Sequence, residues 1–291
     1  MTDGSTPTYK ILPGTPYSEY ALPVDYMPSR DYRPRWGVTR PVIPQLATWF
    51  EAHSAEFREF MELMRTSHDA MADIPLDFSE ENLPMPAWFG VPFSPFDAVV
   101  LHTMITKYKP KTYLEIGSGI TTCFTRKAVT GAGLDTKVIS IDPQPRAQVD
   151  AICDEVLRDG LETYDLSVFA TLEAGDILFF DGSHRSFMNS DVTVFMIDVL
   201  PMIKPGVIVH VHDITLPWDY PDMFAPWYWN EQYLLAVYLM QGRHRIKPLA
   251  PTSYLCRAPQ FADWFKTPIF DFGERNESWT GGGSMWFTHT A

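Results

Sequence analysis

The feature that most constrains the fold of this chain is a glycine-rich turn that follows a short apolar run. The turn is Glu115-Ile-Gly117-Ser-Gly119, and a second apolar run at 137–141 ends in Asp142. Glycine allows the backbone to turn sharply and lets a ligand approach without a β-carbon in the way. An acidic residue about twenty residues further on can accept hydrogen bonds from both hydroxyls of a ribose. The pattern predicts a parallel strand–turn–helix unit that binds a nucleoside-containing cofactor.

The spacing of the glycines bears on which cofactor is bound. The dinucleotide-binding turn has a third glycine three residues after the second, where the helix packs against the strand beside a pyrophosphate. In this chain Thr122 stands at that position. A Glu-x-Gly-x-Gly turn without the third glycine resembles the first motif of class I S-adenosylmethionine (SAM) methyltransferases, whose cofactor has no phosphate. A purely structural glycine turn is the alternative interpretation.

Composition excludes several classes of protein. The chain has 291 residues, which suits one α/β domain, and a formal net charge of -13, which argues against binding to nucleic acid or to an anionic membrane. No apolar run is long enough to span a bilayer, and the first residues lack the features of a signal peptide. The three cysteines show no metal or disulfide pattern. We therefore expect a cytoplasmic protein with reduced thiols.

The N-terminal third differs in character from the rest of the chain. Residues 1–45 are rich in Pro, Tyr and Arg, which predicts an extended arm that packs on the body or on a second subunit of a homo-oligomer. Apolar residues at helical spacing follow at 44–64. We therefore divide the chain into an N-terminal arm and helical segment, 1–93, and a catalytic domain, 94–291.

From residue 111 onwards, short apolar runs alternate with helical segments. Strands are predicted at 112–116, 137–141, 155–158, 176–181, 206–212, 245–249 and 284–288, and helices at 120–130, 145–152, 163–171, 187–203 and 261–265. This alternation predicts a doubly wound α/β fold, in which a mostly parallel sheet is covered on both faces. A seven-stranded sheet with a closing antiparallel strand is the methyltransferase version of this Rossmann-like architecture.

Polar side chains follow the predicted fourth and fifth strands. The fourth strand ends in Asp181-Gly-Ser-His184, and the fifth ends in His210-Val-His212-Asp213. The carboxyl ends of neighbouring parallel strands meet at one edge of the sheet. Polar residues that end such apolar strands must be hydrogen-bonded, metal-bound or in a wet cleft. We therefore expect Asp181, His184, His212 and Asp213 to converge.

These segments carry a more specific resemblance. Phe-Phe-Asp181-Gly-Ser-His184, Lys204-Pro-Gly206 and Val209-His-Val-His212-Asp213 are similar to a bacterial family of class I small-molecule O-methyltransferases. That family includes enzymes similar to those that act on macrolide sugars and on cephalosporin precursors. The resemblance continues through Leu216-Pro-Trp-Asp-Tyr-Pro221 and the terminal Gly281-Gly-Gly-Ser-Met-Trp286, and covers roughly residues 95 to 289.

The resemblance implies a set of cofactor-binding residues. The amino-acid portion of SAM would be cradled by the glycine turn, the ribose would be held by Asp142, and the adenine would lie near a residue after the third strand; the residues concerned are Glu115, Gly117, Ser118, Gly119, Asp142 and Asp159.

The resemblance also raises the question of a metal. In metal-using relatives, carboxylates at the ends of the fourth and fifth strands hold Mg²⁺, and Asp181 and Asp213 stand at those positions. His212 occupies a position where those relatives carry a carboxylate. Magnesium prefers oxygen ligands, so the set Asp181, His212 and Asp213 suits Mn²⁺, Fe²⁺ or Zn²⁺ better, or no metal at all.

His184 is the predicted general base, because an imidazole can accept a hydroxyl proton near neutral pH. Asp181 and Asp213 are the predicted catalytic carboxylates beside it. The alternatives are that His184 only supports these carboxylates, that Asp181 caps a turn and that His212 is a core histidine.

The acceptor is expected to lie under the aromatic loop that follows the fifth strand. Large rings with polar edges suit stacking against a sugar or an aromatic molecule. The predicted acceptor-binding residues are Trp218, Tyr220, Trp227 and Trp229. The alternative is a lid or a dimer contact.

Together these features predict a SAM-dependent methyltransferase that acts on a small polar metabolite, at oxygen, in natural-product biosynthesis. Two alternatives stay open. One is a SAM- or nucleoside-sensing module without catalysis, and the other is an enzyme that uses SAM but releases methylthioadenosine.

Overall fold

The computed structural model describes residues 33–145 and 149–290, apart from the side chains of residues 277, 278 and 280. Most of the predicted N-terminal arm, residues 1–32, therefore lies outside the described residues. The end of the arm packs on the body: Asp219 N donates to Trp36 O (2.9 Å), and Ile43 N donates to Pro217 O (2.9 Å).

The helices of the described residues, in chain order, are α1 (Pro44–Glu51), α2 (Ser54–Met64), α3 (His68–Met71), α4 (Pro95–Tyr108), α5 (Ile120–Gly131), α6 (Asp191–Val194), α7 (Leu200–Met202), α8 (Glu231–Gly242) and α9 (Thr252–Arg257). The strands are β1 (Thr112–Ile116), β2 (Lys137–Ile141), β3 (Glu155–Leu157), β4 (Ile177–Phe180), β5 (Ile208–Val211), β6 (Ile246–Pro251) and β7 (Met285–His289).

Within the described residues these strands form one seven-stranded sheet in the order β3-β2-β1-β4-β5-β7-β6. Strands β1 to β5 pair in parallel, and β7 is antiparallel to both β5 and β6. The order reverses at β1, so its carboxyl end lies at the switch point where α/β sheets bind ligands. The predicted Rossmann-like fold with a closing antiparallel strand is confirmed.

Several predicted helices are shorter or divided. The segment 44–64 forms two helices, because His53 leaves helical geometry (φ -106°, ψ 13°) and its ring Nδ1 hydrogen-bonds to Trp49 O at 2.8 Å. The segment 163–171 is reduced to a 3₁₀ turn at Leu166–Thr171. Between α6 and α7, Phe195–Val199 forms a π-helical turn. In each case apolar spacing identified the buried face but not the hydrogen-bond pattern.

The N-terminal helices share one hydrophobic core with the sheet. Phe50 and Phe57 are fully buried, and their rings lie 5.3 and 6.5 Å from the ring of Tyr254 in α9. Residues 34–291 accordingly form one compact unit. The division of the chain at residue 93 stays a sequence prediction.

In the described part of the chain, none of the helices combines the length and apolar character needed to cross a membrane.

Candidate active site at the carboxyl edge of the sheet

The glycine turn lies directly against the end of β4. Gly117 has φ +81°, and a β-carbon at this position would lie 1.8 Å from Asp181 O. Asp181 N in turn donates to Ile116 O (2.9 Å). Only glycine fits here, because both the backbone conformation and the missing space exclude a side chain. The turn and the polar end of β4 therefore form one continuous surface.

The backbone amides of the turn are satisfied within the protein. Gly117 N donates to Ile141 O (3.0 Å), Ser118 N to Asp142 Oδ2 (2.8 Å) and Gly119 N to the Thr122 hydroxyl (3.1 Å). A pyrophosphate-binding loop instead points such amides at the ligand. These three bonds favour a cofactor without phosphate at this turn.

Asp142 follows β2 and is partly exposed. Its Oδ2 accepts from Ser118 N, and its Oδ1 accepts from Gln144 N at 2.7 Å. A carboxylate has about four acceptor positions, so about two stay available. That number suits the two hydroxyls of a ribose.

The other predicted cofactor-binding residues differ in burial. Glu115 is fully buried beneath the turn, where its carboxyl group accepts from the hydroxyls of Thr121 and Thr122. Burial raises the pKa of Glu115 to about 8 against the effect of these two bonds. The Ser118 hydroxyl is buried against that of Ser140 (2.7 Å). Asp159 is exposed just after β3. Glu115 and the Ser118 side chain thus support the turn from below.

A compact cluster lies beside the turn, at the ends of β4 and β5. His184 Nε2 lies 3.5 Å from Asp181 Oδ1 and 3.5 Å from Asp213 Oδ2. These three residues each offer one potential ligand atom, and the atoms all lie within 4.8 Å of one another. The structure therefore brings together side chains that are distant in sequence, in an arrangement that could hold a divalent metal.

His212 borders this cluster from the buried side. Its Nε2 is 3.7 Å from Asp213 Oδ1, and its Nδ1 is 3.4 Å from the Ser284 hydroxyl. It is only 4% exposed, and its ring packs 5.2 Å from that of Phe93. Among the described residues, the set of three that could share an ion contains His184 in the place of His212.

Two residues of the cluster have left-handed backbone conformations. His184 has φ +62° and Asp213 has φ +52°. Such conformations cost about 1–3 kcal/mol for non-glycine residues and persist where surrounding contacts fix them. The turns after β4 and β5 therefore aim both side chains at the same point.

Sequence reasoning missed Glu231, the first residue of α8. This side chain is fully buried, and its Oε1 lies 2.5 Å from His184 Nδ1. Burial disfavours the imidazolium, but the carboxylates of Glu231, Asp181 and Asp213 outweigh burial and raise the pKa of His184 to about 9. The available signal was an acidic residue at the start of a run of apolar residues at helical spacing.

The predicted acceptor aromatics fall into two groups. The ring of Trp229 lies 4.0 Å from that of His184, and those of Trp227 and Tyr220 lie 4.9 and 6.3 Å from Trp229. Trp218 lies elsewhere, with the guanidinium of Arg257 5.0 Å over its ring. The aromatic contact to the cluster is therefore made through Trp229.

Residues 114–214 match a family model described as a methyltransferase domain. The matched segment covers less than half of the chain. It begins in β1 and ends just after β5, and so contains the glycine turn, Asp142 and the cluster of Asp181, His184 and Asp213. Glu231 and Trp229 lie beyond the matched segment.

Three solved structures are among those similar to this chain. A chain described as "cmcI-N160 SAH" is 20% identical, with a TM-score of 0.35, and the match covers 53% of this chain and 79% of that one. The O-methyltransferase TomG of Streptomyces achromogenes, solved with SAM, is 17% identical with a TM-score of 0.39, covering 79% and 90%. The SAH-bound methyltransferase PaMTH1 of Podospora anserina is 14% identical with a TM-score of 0.40, covering 88% and 100%. A comparison with curated protein sequences finds no match.

Proposed function

We propose that this chain is a cytoplasmic SAM-dependent methyltransferase that methylates an oxygen of a small polar acceptor. The observation that carries the proposal is the contact of Gly117 with Asp181, where a β-carbon would lie 1.8 Å from the Asp181 carbonyl. It joins the cofactor turn to the Asp181–His184–Asp213 cluster, so that cofactor and acid–base groups share one site.

The residues at the turn fit SAM. The amides of the turn are already bonded within the protein, and Asp142 keeps about two acceptor positions for ribose hydroxyls. When bound, SAM supplies an electrophilic sulfonium methyl group. The exposed face of Gly119, where a β-carbon would meet nothing within 4 Å, leaves room for the amino-acid portion.

His184 is the proposed general base. Its Nε2 faces the cluster between Asp181 and Asp213, where it can accept the proton of an acceptor hydroxyl. The neighbouring carboxylates stabilise the resulting imidazolium. Methyl transfer needs little more than this proton transfer and the positioning of the two reactants. Positioning accounts for a large part of the rate in such reactions.

Metal assistance is a second form of the proposal. Two carboxylates and one imidazole within 4.8 Å of one another suit Mn²⁺, Fe²⁺ or Zn²⁺ better than Mg²⁺. In this form Asp181 and Asp213 would hold the ion with His184 or His212, and the ion would polarise the acceptor oxygen. Activity that survives exhaustive chelation but is lost in His184→Ala would support the base; activity restored only by added Mn²⁺, Fe²⁺ or Zn²⁺ would support the metal.

The proposed acceptor is a sugar or an aromatic natural product. Trp229 provides a large ring next to His184, and Trp227 packs against Trp229. Such rings stack on flat apolar faces while leaving polar edges free.

The test is mass spectrometry of products after incubation of the protein with SAM and a panel of sugars and phenols. We expect a singly methylated product together with S-adenosylhomocysteine. Formation of methylthioadenosine would overturn the proposal. So would binding of SAM that is unaffected by His184→Ala and is followed by no turnover of any acceptor.

A further inference from the structure

We infer that Glu231 is a positioning residue, which fixes the imidazole of His184 through Nδ1 and thereby presents Nε2 to the reacting group. The inference rests on the proposed function of His184, which it deepens by adding a residue outside the segment that the family model matches.

The first support is the contact itself. Glu231 Oε1 lies 2.5 Å from His184 Nδ1, and Glu231 is fully buried. A carboxylate only accepts, so Nδ1 must carry the proton that joins the two groups. A neutral His184 then has its free lone pair on Nε2, which faces Asp181 and Asp213. A carboxylate behind an active imidazole selects the tautomer in the same way in other enzymes.

The second support is the way in which the backbone holds the pair together. The amides of Asn230 and Glu231 both point at His184 O, at 2.9 and 3.3 Å. Ser186 N donates to Asn230 Oδ1 (2.7 Å), and the Trp229 ring lies 4.0 Å from the imidazole. The start of α8 is therefore fastened to the turn after β4 at several points, which fixes the Glu231 carboxyl group relative to His184.

The third support is that a buried carboxyl group at position 231 would only destabilise the fold if it did not orient His184. Its Oε2 has no hydrogen-bond partner among the described residues, although the atom is buried. A buried carboxyl oxygen without a partner destabilises a fold, and an apolar side chain would pack the same space without that cost. Orientation of His184 explains why a carboxyl group stands here.

The test is NMR of the full chain labelled with ¹⁵N-histidine, with His184 assigned from a His184→Gln variant. In the wild type we expect a protonated Nδ1 whose proton exchanges slowly and resonates far downfield. Glu231→Ala should lose this signal, and Glu231→Gln, which keeps an acceptor oxygen, should keep it with a smaller downfield shift. This readout does not require a known acceptor, so it separates failure of the inference from failure of the proposed function.

Gln232→Ala is the matched control. Gln232 is also fully buried at the start of α8, but its Oε1 bonds to Thr215 and not to His184. This variant should keep the Nδ1 signal. Once an acceptor is known, Glu231→Ala should lower kcat roughly 10- to 100-fold, the usual effect of losing such a partner, with KM unchanged. Folded Glu231→Ala protein with the wild-type signal and kcat, or loss of the signal in Gln232→Ala as well, would overturn the inference.

Discussion

Gly117 and Asp181 are in backbone contact across two parallel strands, so close that a β-carbon on residue 117 would meet the Asp181 carbonyl oxygen. Strands β1 and β4 are neighbours in the sheet, with Ile116 opposite Phe180. The cofactor turn and the proposed acid–base cluster are therefore positioned by the same pair of residues. A change at either one should disturb both functions.

Replacement of Gly117 by alanine should be severe. The substitution combines left-handed strain, about 1–2 kcal/mol, with a backbone clash that requires β1 and β4 to shift. We expect a loss of at least about 3 kcal/mol of unfolding free energy and loss of SAM binding. Thermal unfolding and calorimetry measure these effects. Gly133→Ala is the control, because its φ is +61° but nothing lies within 4 Å of a β-carbon there. Equal stability losses in the two variants would contradict the role of the contact.

Replacement of Asp142 by alanine should weaken SAM binding. The side chain lies at the carboxyl end of β2, where it supports the turn and keeps acceptors for ribose. Loss of a hydrogen bond to a charged group costs about 1.5–3 kcal/mol, so calorimetry should show a roughly 10- to 100-fold higher Kd. Asp135→Ala is the matched control, an exposed aspartate near the opposite end of the same strand. Tight NAD binding without SAM binding would refute the cofactor assignment.

The rate of methyl transfer should depend on the protonation of His184. Because its pKa is raised to about 9, the imidazole is mostly protonated at neutral pH and gains base activity as the pH rises. We expect kcat/KM of the metal-free enzyme to increase about tenfold per pH unit up to about pH 9 and then level off. Glu231→Gln removes one of the negative charges that raise the pKa of His184, so kcat/KM of this variant should begin to rise at lower pH. A flat profile from pH 6 to 9 would exclude His184 as the base.

Replacement of Glu115 by glutamine should change how stability depends on pH. Burial raises the pKa of Glu115 from 4.5 to about 8. Between these values the unfolded chain loses the proton while the folded chain keeps it, so the wild-type free energy of unfolding falls by up to about 1.4 kcal/mol per pH unit. Glu115→Gln has no such ionisable group, so its free energy of unfolding should not fall in this way. In urea denaturation, the difference in unfolding free energy between Glu115→Gln and wild type should shift in favour of the variant from pH 5 to pH 8. The exposed Glu162→Gln serves as the control. Parallel curves for Glu115→Gln and wild type would contradict the prediction.

The architecture and the edge of the sheet that carries the site could be predicted from local sequence. Apolar runs and glycines describe the backbone of each segment, and parallel strands place their carboxyl ends at one edge. Asp181, His184, His212 and Asp213 could be grouped on that basis, because each lies within four residues of the end of β4 or β5. Helix bounds were less predictable, since apolar spacing reports the buried face and not the hydrogen-bond pattern.

Tertiary structure alone decided which side chain pairs with His184 Nδ1 and which histidine joins the two carboxylates. Glu231 reaches His184 across 47 residues of sequence, through a loop whose path no local pattern specifies. Long-range structure also decided that His184, and not His212, lies with Asp181 and Asp213 in the compact set. The left-handed turns at His184 and Asp213 determine where the imidazole points. The sequence determined the strands and their polar ends, because these follow from local periodicity. The partners at those ends depend on long-range packing, which periodicity does not encode.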